Sequence, residues 1–146
     1  MIARFALSRL ALSSLLGLVL CPYLAPACAL DLIAHKDVDK SAVTRNEARL
    51  YYTMRLKKWP DGTLVKVYVL PDNHALHRRF ANEVLNLYPY QLRRVWDRQL
   101  FSGTGQAPTV VASEAEMRRR VATTPGAIGY ADGPPQDPDL RALEVR

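Results

Sequence analysis

The fold of this chain is decided by residues 88–105, which read Tyr-Pro-Tyr-Gln-Leu-Arg-Arg-Val-Trp-Asp-Arg-Gln-Leu-Phe-Ser-Gly-Thr-Gly. Apolar side chains recur there at helical spacing, which predicts an amphipathic helix. Its buried face would carry Leu92, Val95, Trp96 and Leu100. Pro89 suits the first turn, and Gly103 and Gly105 suit the end of the helix. Trp96 and Phe101 are predicted to anchor the core, because aromatic rings bury large areas.

The opposite face of this predicted helix is charged. It carries Arg93, Arg94, Asp97 and Arg98. Asp97 follows two of these arginines by three and four residues, a spacing at which side chains meet on a helix, so the pattern predicts surface ion pairs. A helix with one apolar face needs a sheet or other helices to cover that face.

The clearest strand precedes this helix, at residues 63–70. Val65, Val67 and Val69 share one of its faces, and apolar residues on both faces predict a central position in a sheet. The stretch Trp59-Pro-Asp-Gly62 predicts a turn just before it, because proline restricts φ and glycine accepts a left-handed conformation.

The corner after this strand, residues 71–73, predicts the start of a helix. Asp72 or Asn73 is the expected N-cap, since short polar side chains accept hydrogen bonds from the free amides there. The expected buried face of the helix consists of Leu76, Phe80, Val84 and Leu87. His77 falls among the more solvent-exposed positions of this predicted helix.

Two further helices are indicated by Ser/Thr-x-x-Glu capping boxes at 44–47 and 113–116. Short strands are predicted at 31–35, 109–112 and 127–130. Strands that alternate with helices favour a three-layer α/β/α domain with a mixed sheet, here residues 30–131. Residues 132–146 hold three prolines and predict a flexible, Pro-rich C-terminal tail.

The first 29 residues predict a secretory signal peptide. Arg4 and Arg9 precede an apolar run at 11–20, and Ala27-Cys-Ala29 is a small-x-small cleavage signal, so we expect cleavage after Ala29 and a periplasmic protein. A membrane anchor is disfavoured because the apolar run is short and prolines follow it. A lipoprotein with lipid on Cys28 is disfavoured because Pro26 interrupts the attachment signal.

Composition narrows the function classes. The chain is 49% hydrophobic and 23% charged, which is typical of a globular domain. Both cysteines would leave with the signal, so the mature chain would have no disulfide and no cysteine metal ligand. The signal carries two of the 20 basic residues and none of the 14 acidic ones, which leaves a net charge of about +4. We expect no nucleic-acid partner, because the arginines are spread over several helices.

Several motifs in order along the chain resemble one family, the phosphate-type periplasmic substrate-binding proteins. The motifs are Trp59-Pro-Asp-Gly62, the helix with Trp96 that ends in Phe101-Ser-Gly103, Pro108, and Pro125-Gly-Ala-Ile-Gly-Tyr130. The chain looks like a short exported relative, similar to one lobe of these two-lobed, type II binding proteins. The resemblance implies a binding protein for phosphate or another small anion, with an ABC transporter or an envelope sensor as its protein partner.

The corner after the clearest strand departs from that family. It reads Leu70-Pro-Asp-Asn-His-Ala-Leu76 and lacks the Arg and the Ser-Gly-Thr that the resemblance implies there, and Asp72 places a negative charge where phosphate would sit. The candidate ligand residues are Asn73, His74 and Ala75 at this corner and Ser102 and Thr104 at the rim. Helix capping and a helix stop are the alternative roles for these two groups.

The sequence predicts neither catalysis nor a metal site. His74 and His77 stand three apart, but no third ligand follows at a recognised spacing. No Ser-His-Asp set or paired carboxylates stand out, so we expect no enzyme, no catalytic residue and no cofactor. The alternative function is an envelope interaction or sensor-accessory module that has lost anion binding. Contact with the membrane is expected only through the uncleaved signal.

Overall fold

The computed structural model describes residues 29–146. Both cysteines, the apolar run at 11–20 and all of the predicted export signal except Ala29 lie outside the described residues. Between residues 29 and 146, no helix combines the length and the apolar character needed to cross a membrane.

Strands and helices alternate along the described chain. In order they are β1 (Leu30–His35), β2 (Ala42–Val43), α1 (Arg45–Tyr52), β3 (Lys66–Val69), α2 (Ala75–Arg79), α3 (Pro89–Phe101), β4 (Thr109–Val110), α4 (Glu114–Thr123), β5 (Ala127–Asp132) and β6 (Leu140–Val145). α2 continues directly into a π-helical turn, Phe80–Val84.

The strands form one six-stranded sheet in the order β2-β6-β1-β5-β3-β4. β1 is antiparallel to both of its neighbours, β5 and β6, whereas β3 is parallel to β5 and to β4. The sheet is therefore mixed, and the predicted α/β class with a mixed sheet is confirmed. β3 is shorter than the predicted strand at 63–70, but it lies between two other strands, as its apolar faces indicated.

Two neighbouring residues of β5 show the three layers, because successive side chains of a strand point to opposite faces. On one face, a Cβ added at Gly129 would lie 2.6 Å from Met117 Sδ and 2.9 Å from Val121 Cγ2, so α4 packs directly on this face. On the other face, the Tyr130 ring stacks on Phe80 with centroids 3.9 Å apart. The helices on that second face form the opposite layer.

Trp96 ties the helices of this second layer together. It is 1% exposed, and its Nε1 donates to the Tyr52 carbonyl at the end of α1, at 2.8 Å. Leu92 is also fully buried, so the helical spacing predicted the core face of α3 correctly for these two residues. Phe101 is 90% exposed, which makes its predicted role as an anchor wrong: it is the last residue of α3 and lies beyond the edge of the core.

The local signals in the sequence are largely confirmed. Thr44 and Glu47 form the predicted capping box at the start of α1. The second box is only half formed: Ser113 accepts the Glu116 amide, but the Glu116 carboxylate takes the Ala112 amide instead of that of Ser113. The predicted turn ends at Gly62, whose φ of +88° is one that L side chains rarely adopt.

The predicted flexible tail is wrong for residues 140–145. This segment forms β6, which is hydrogen-bonded to β1 along most of its length, and Leu140 and Leu143 are buried. The prolines at 134–138 lie in the loop before β6. The sequence did not reveal the strand because its partner edge on β1 is more than a hundred residues away.

Candidate functional site

The corner that follows β3 holds three of the predicted ligand residues. Asn73 and Ala75 are exposed there and His74 is half-buried. The N-cap of α2 is His74, whose Nδ1 accepts the Leu76 amide at 3.2 Å. The prediction that Asp72 or Asn73 caps this helix is therefore wrong. The His74 amide donates back to the Pro71 carbonyl at 2.9 Å, a tight turn that delays the helix to Ala75.

Asp72 is bound by an arginine from another helix. Arg93 of α3 donates through Nε to Oδ2 and through Nη2 to Oδ1, both at 3.0 Å. This bidentate contact, in which the guanidinium group binds both carboxylate oxygens, is among the stronger polar contacts in proteins. The hydrogen bond to Asp72 raises the pKa of Arg93. The sequence predicted Asp97 as the partner of Arg93 and no arginine at the corner; the structure corrects both predictions. No signal in the sequence relates positions 72 and 93.

A buried hydrogen-bond chain supports the corner from beneath. The Tyr130 hydroxyl accepts the Leu70 amide at 2.8 Å and lies 2.6 Å from His77 Nδ1. Which of these two groups donates depends on the tautomer of the His77 ring, whose other nitrogen is Nε2. This Nε2 points toward Asp72, 3.8 Å from Oδ1, and has no hydrogen-bond partner in the described structure.

His77 was predicted to lie on the more solvent-exposed side of the helix, and that prediction is wrong. The side chain is 0% exposed. Ala81 is buried along with Phe80, so the buried face of this helix is wider than its large apolar residues indicate, and it includes His77. Burial lowers the pKa of His77 below its ordinary value, although the carboxylate of Asp72 acts in the opposite direction.

The two rim residues lie elsewhere. Ser102 follows α3, donates to the Arg98 carbonyl at 2.7 Å and lies 2.7 Å from Thr104 Oγ1, which closes the end of the helix. The loop that contains both residues leads into β4. Because β4 is parallel to β3, this loop lies at the opposite end of the sheet from the corner after β3. The structure therefore does not bring Ser102 and Thr104 together with Asn73, His74 and Ala75.

The corner offers donors, but no recognisable metal centre. Arg93 binds the carboxylate of Asp72, and His74 and the exposed residues Asn73 and Ala75 follow in the same corner. Within residues 29–146, no three His, Cys, Asp or Glu side chains are grouped so that they could hold a metal ion. The chemistry available here is charge-assisted hydrogen bonding to an anion, or to the surface of another molecule.

No protein-family model matches the chain, and no curated protein sequence matches it. Solved structures do. An ABC-type phosphate transport receptor from Vibrio cholerae aligns with a TM-score of 0.61 at 13% identity, over 80% of this chain and 45% of the receptor. A putative phosphate ABC transporter substrate-binding protein with bound phosphate, from Clostridium perfringens, aligns with a TM-score of 0.62 at 16% identity, over 80% and 44% of the two chains.

PstS from Borrelia burgdorferi gives the same picture, with a TM-score of 0.61, 16% identity, and 81% of this chain on 47% of that one. At such identities the likeness concerns the fold. The chain spans a little under half the length of each of these proteins. It therefore has the fold of the phosphate ABC transporter substrate-binding proteins, matched as a single lobe.

Proposed function

We propose that this chain is a periplasmic binding protein for a small oxyanion such as phosphate, acting with an ABC transporter or an envelope sensor and without catalysis. The observation that carries the proposal is the guanidinium group of Arg93, which α3 brings to the corner after β3. A planar fork of N–H donors suits the oxygens of phosphate. The proteins of similar fold, two of which are named for phosphate transport, support the same ligand class.

In this proposal the anion contacts Arg93, the His74 ring and the free amides near Asn73 and Ala75. Asp72 now accepts two hydrogen bonds from the Arg93 fork, so an oxyanion competes with this carboxylate for the same donors. Both side chains of the ion pair are more than a third exposed, which lets the pair rearrange in contact with water. We therefore expect weaker binding than a fully enclosed site would give.

Isothermal titration of the mature chain with inorganic phosphate and with sulfate tests the proposal. We expect saturable heat for the wild type and at least about a tenfold loss of affinity, or about 1.4 kcal/mol, for Arg93→Gln. Arg94→Gln is the matched control, because Arg94 is exposed on the same helix one position along. Absence of heat with either oxyanion would refute anion binding.

A second candidate is an envelope interaction or sensor-accessory module without an anion site. The observation that favours it is the same ion pair: the Asp72 carboxylate already satisfies the donors that an anion would need. Titration of Asp72→Asn with phosphate separates the two. If the removal of this competing charge leaves the chain unable to bind phosphate or sulfate, the second candidate is the better account.

Export is proposed separately from binding. β1 begins at Leu30, directly after the predicted cleavage site, so removal of residues 1–29 leaves every strand of the described sheet intact. N-terminal sequencing of the protein recovered from a periplasmic extract should give a chain that starts at Leu30. A protein found in the cytoplasm that still begins at Met1 would contradict both the signal and the periplasmic location.

A further inference from the structure

The buried ring of His77 lies next to the ion pair of Asp72 and Arg93. Its Nε2 is 3.8 Å from Asp72 Oδ1, the same oxygen that accepts the Arg93 Nη2 donor at 3.0 Å. The side chain is 0% exposed, and Nε2 has no hydrogen-bond partner in the described chain. Buried polar atoms without a partner are rare in folded proteins, so this placement beside a carboxylate points to a use beyond packing.

A proton on His77 changes the net charge of this group of side chains. With a neutral imidazole, the charges of Asp72 and Arg93 cancel. An imidazolium has an N–H donor on both nitrogens, so Nδ1 donates to the Tyr130 oxygen and Nε2 faces Asp72 as a donor. A shift of roughly 1 Å brings Nε2 and Oδ1 into hydrogen-bond range. Two positive charges then share one carboxylate, and the corner carries a net positive charge.

The aromatic groups around His77 do not take part in this change of charge. Tyr130 of β5 contacts Nδ1, and the Trp96 ring of α3 has its centroid 6.5 Å from that of the imidazole. The Tyr52 ring of α1 lies behind them, with its centroid 6.0 Å from that of Tyr130. Burial raises the pKa of both tyrosines, so their hydroxyls stay neutral at neutral and mildly acidic pH.

The charged groups around His77 act on its pKa in opposite directions. Burial, the largest effect, lowers this pKa, and Arg93 and His74 act in the same direction. The carboxylate of Asp72 raises it. An oxyanion that contacts Arg93 brings further negative charge to the corner, so it acts in the same direction as Asp72 and favours the imidazolium.

We propose that oxyanion binding at this corner is coupled to protonation of His77, so that the protein takes up an anion and a proton together. This inference rests on the proposed function, because it requires the oxyanion to contact Arg93. The bound anion favours the imidazolium, and the imidazolium favours the anion to the same extent, because coupling between two binding events is reciprocal. His77 acts as a positioning residue, through its charge and through Asp72, without touching the anion.

Calorimetric titration of the mature chain with sulfate at pH 7.5, 6.5 and 5.5 tests this coupling. Sulfate is the probe because, unlike phosphate, it keeps the same charge throughout this range. We expect the affinity to rise at least about fivefold from pH 7.5 to 5.5, at the low end of typical couplings between sites. Titrations at pH 6.5 in two buffers of different ionisation enthalpy should also show net uptake of protons by the protein.

His77→Asn removes the titrating ring and should lose most of the pH dependence and most of the proton uptake. His35→Asn is the matched control, because it removes another buried histidine and should keep both. His35 lies at the opposite end of the sheet from the corner, since β1 is antiparallel to β5 and β5 is parallel to β3.

NMR of the histidine ring nitrogens provides a measurement on the wild type alone. Saturating sulfate should raise the pKa of His77 by at least about 0.7, which is the same fivefold coupling, and leave that of His35 unchanged. The inference is overturned, and anion binding stands, if sulfate binds equally at all three pH values, if His77→Asn keeps the full pH dependence, or if sulfate leaves the pKa of His77 unmoved. If neither sulfate nor phosphate binds at any of these pH values, the proposed function itself fails.

Discussion

The two ends of β3 contrast in how their polar groups are used. At the C-terminal end, Asp72 is held by Arg93, and Tyr130 joins the backbone to the buried His77 ring. At the N-terminal end, Lys57 and Lys66 have no acidic partner in the described chain, and they line a surface groove. Polar groups that satisfy one another stabilise the fold, whereas groups left without partners remain available for binding.

Breaking the buried hydrogen-bond chain at the C-terminal end of β3 should have the largest effect on stability. Tyr130→Phe removes the hydroxyl that accepts the Leu70 amide and contacts His77 Nδ1, so two buried polar groups lose their partner. We expect the free energy of unfolding to fall by about 2–4 kcal/mol, measured by urea denaturation. Tyr68→Phe is the control, since its hydroxyl makes only a 3.3 Å contact to Thr124. Equal losses for the two variants would refute a special role for Tyr130.

The pH dependence of stability sharpens the same contrast. Burial lowers the pKa of His77 in the folded state, so below about pH 6.5 the unfolded chain binds more protons, and stability must fall as pH decreases. For this group the slope reaches at most about 1.4 kcal/mol per pH unit. Urea midpoints between pH 7.5 and 5 should fall less steeply for His77→Asn than for the wild type. An unchanged slope would show that His77 does not titrate on unfolding.

The ion pair of Asp72 and Arg93 should matter less for stability than the buried hydrogen-bond chain through Tyr130. Asp72→Asn should lower the free energy of unfolding by less than about 1 kcal/mol. Both side chains of the pair are more than a third exposed, so solvent screens their attraction. The same change frees the Arg93 fork and should strengthen phosphate binding by about tenfold in calorimetric titration. Weaker phosphate binding in this variant would show that Asp72 supports the anion instead of competing with it.

The lysines at the N-terminal end should have the smallest effect on the fold. Lys57→Ala/Lys66→Ala should leave the unfolding free energy within about 0.5 kcal/mol of the wild type, because neither side chain has a folded-state partner to lose. A clear loss of stability would reveal an intramolecular role for these lysines and end the contrast between the two ends.

The sequence predicted features that depend on neighbours within about four residues. The capping box of Thr44 and Glu47, the turn at Gly62 and the buried side chains Leu92 and Trp96 all follow from local spacing, and the structure confirms them. The alternation of strands and helices also sufficed for the fold class, because both periodicities are local properties of the chain.

The candidate site was much less predictable. Arg93 reaches Asp72 across 21 positions, and Tyr130 reaches His77 across 53. Such contacts depend on the order of strands in the sheet, which no local pattern contains. The grouping of Thr104 with His74 failed for the same reason, since the parallel pairing of β3 and β4 separates the loops at their opposite ends.

The position of β1 has a consequence for the timing of folding. This early strand is flanked by β5 and β6, so its hydrogen-bonding partners come from residues 127–145. During synthesis the buried Leu32 and Ile33 therefore wait for almost the whole chain before they can pair. The native core of the sheet can therefore close only after the last two strands have been made.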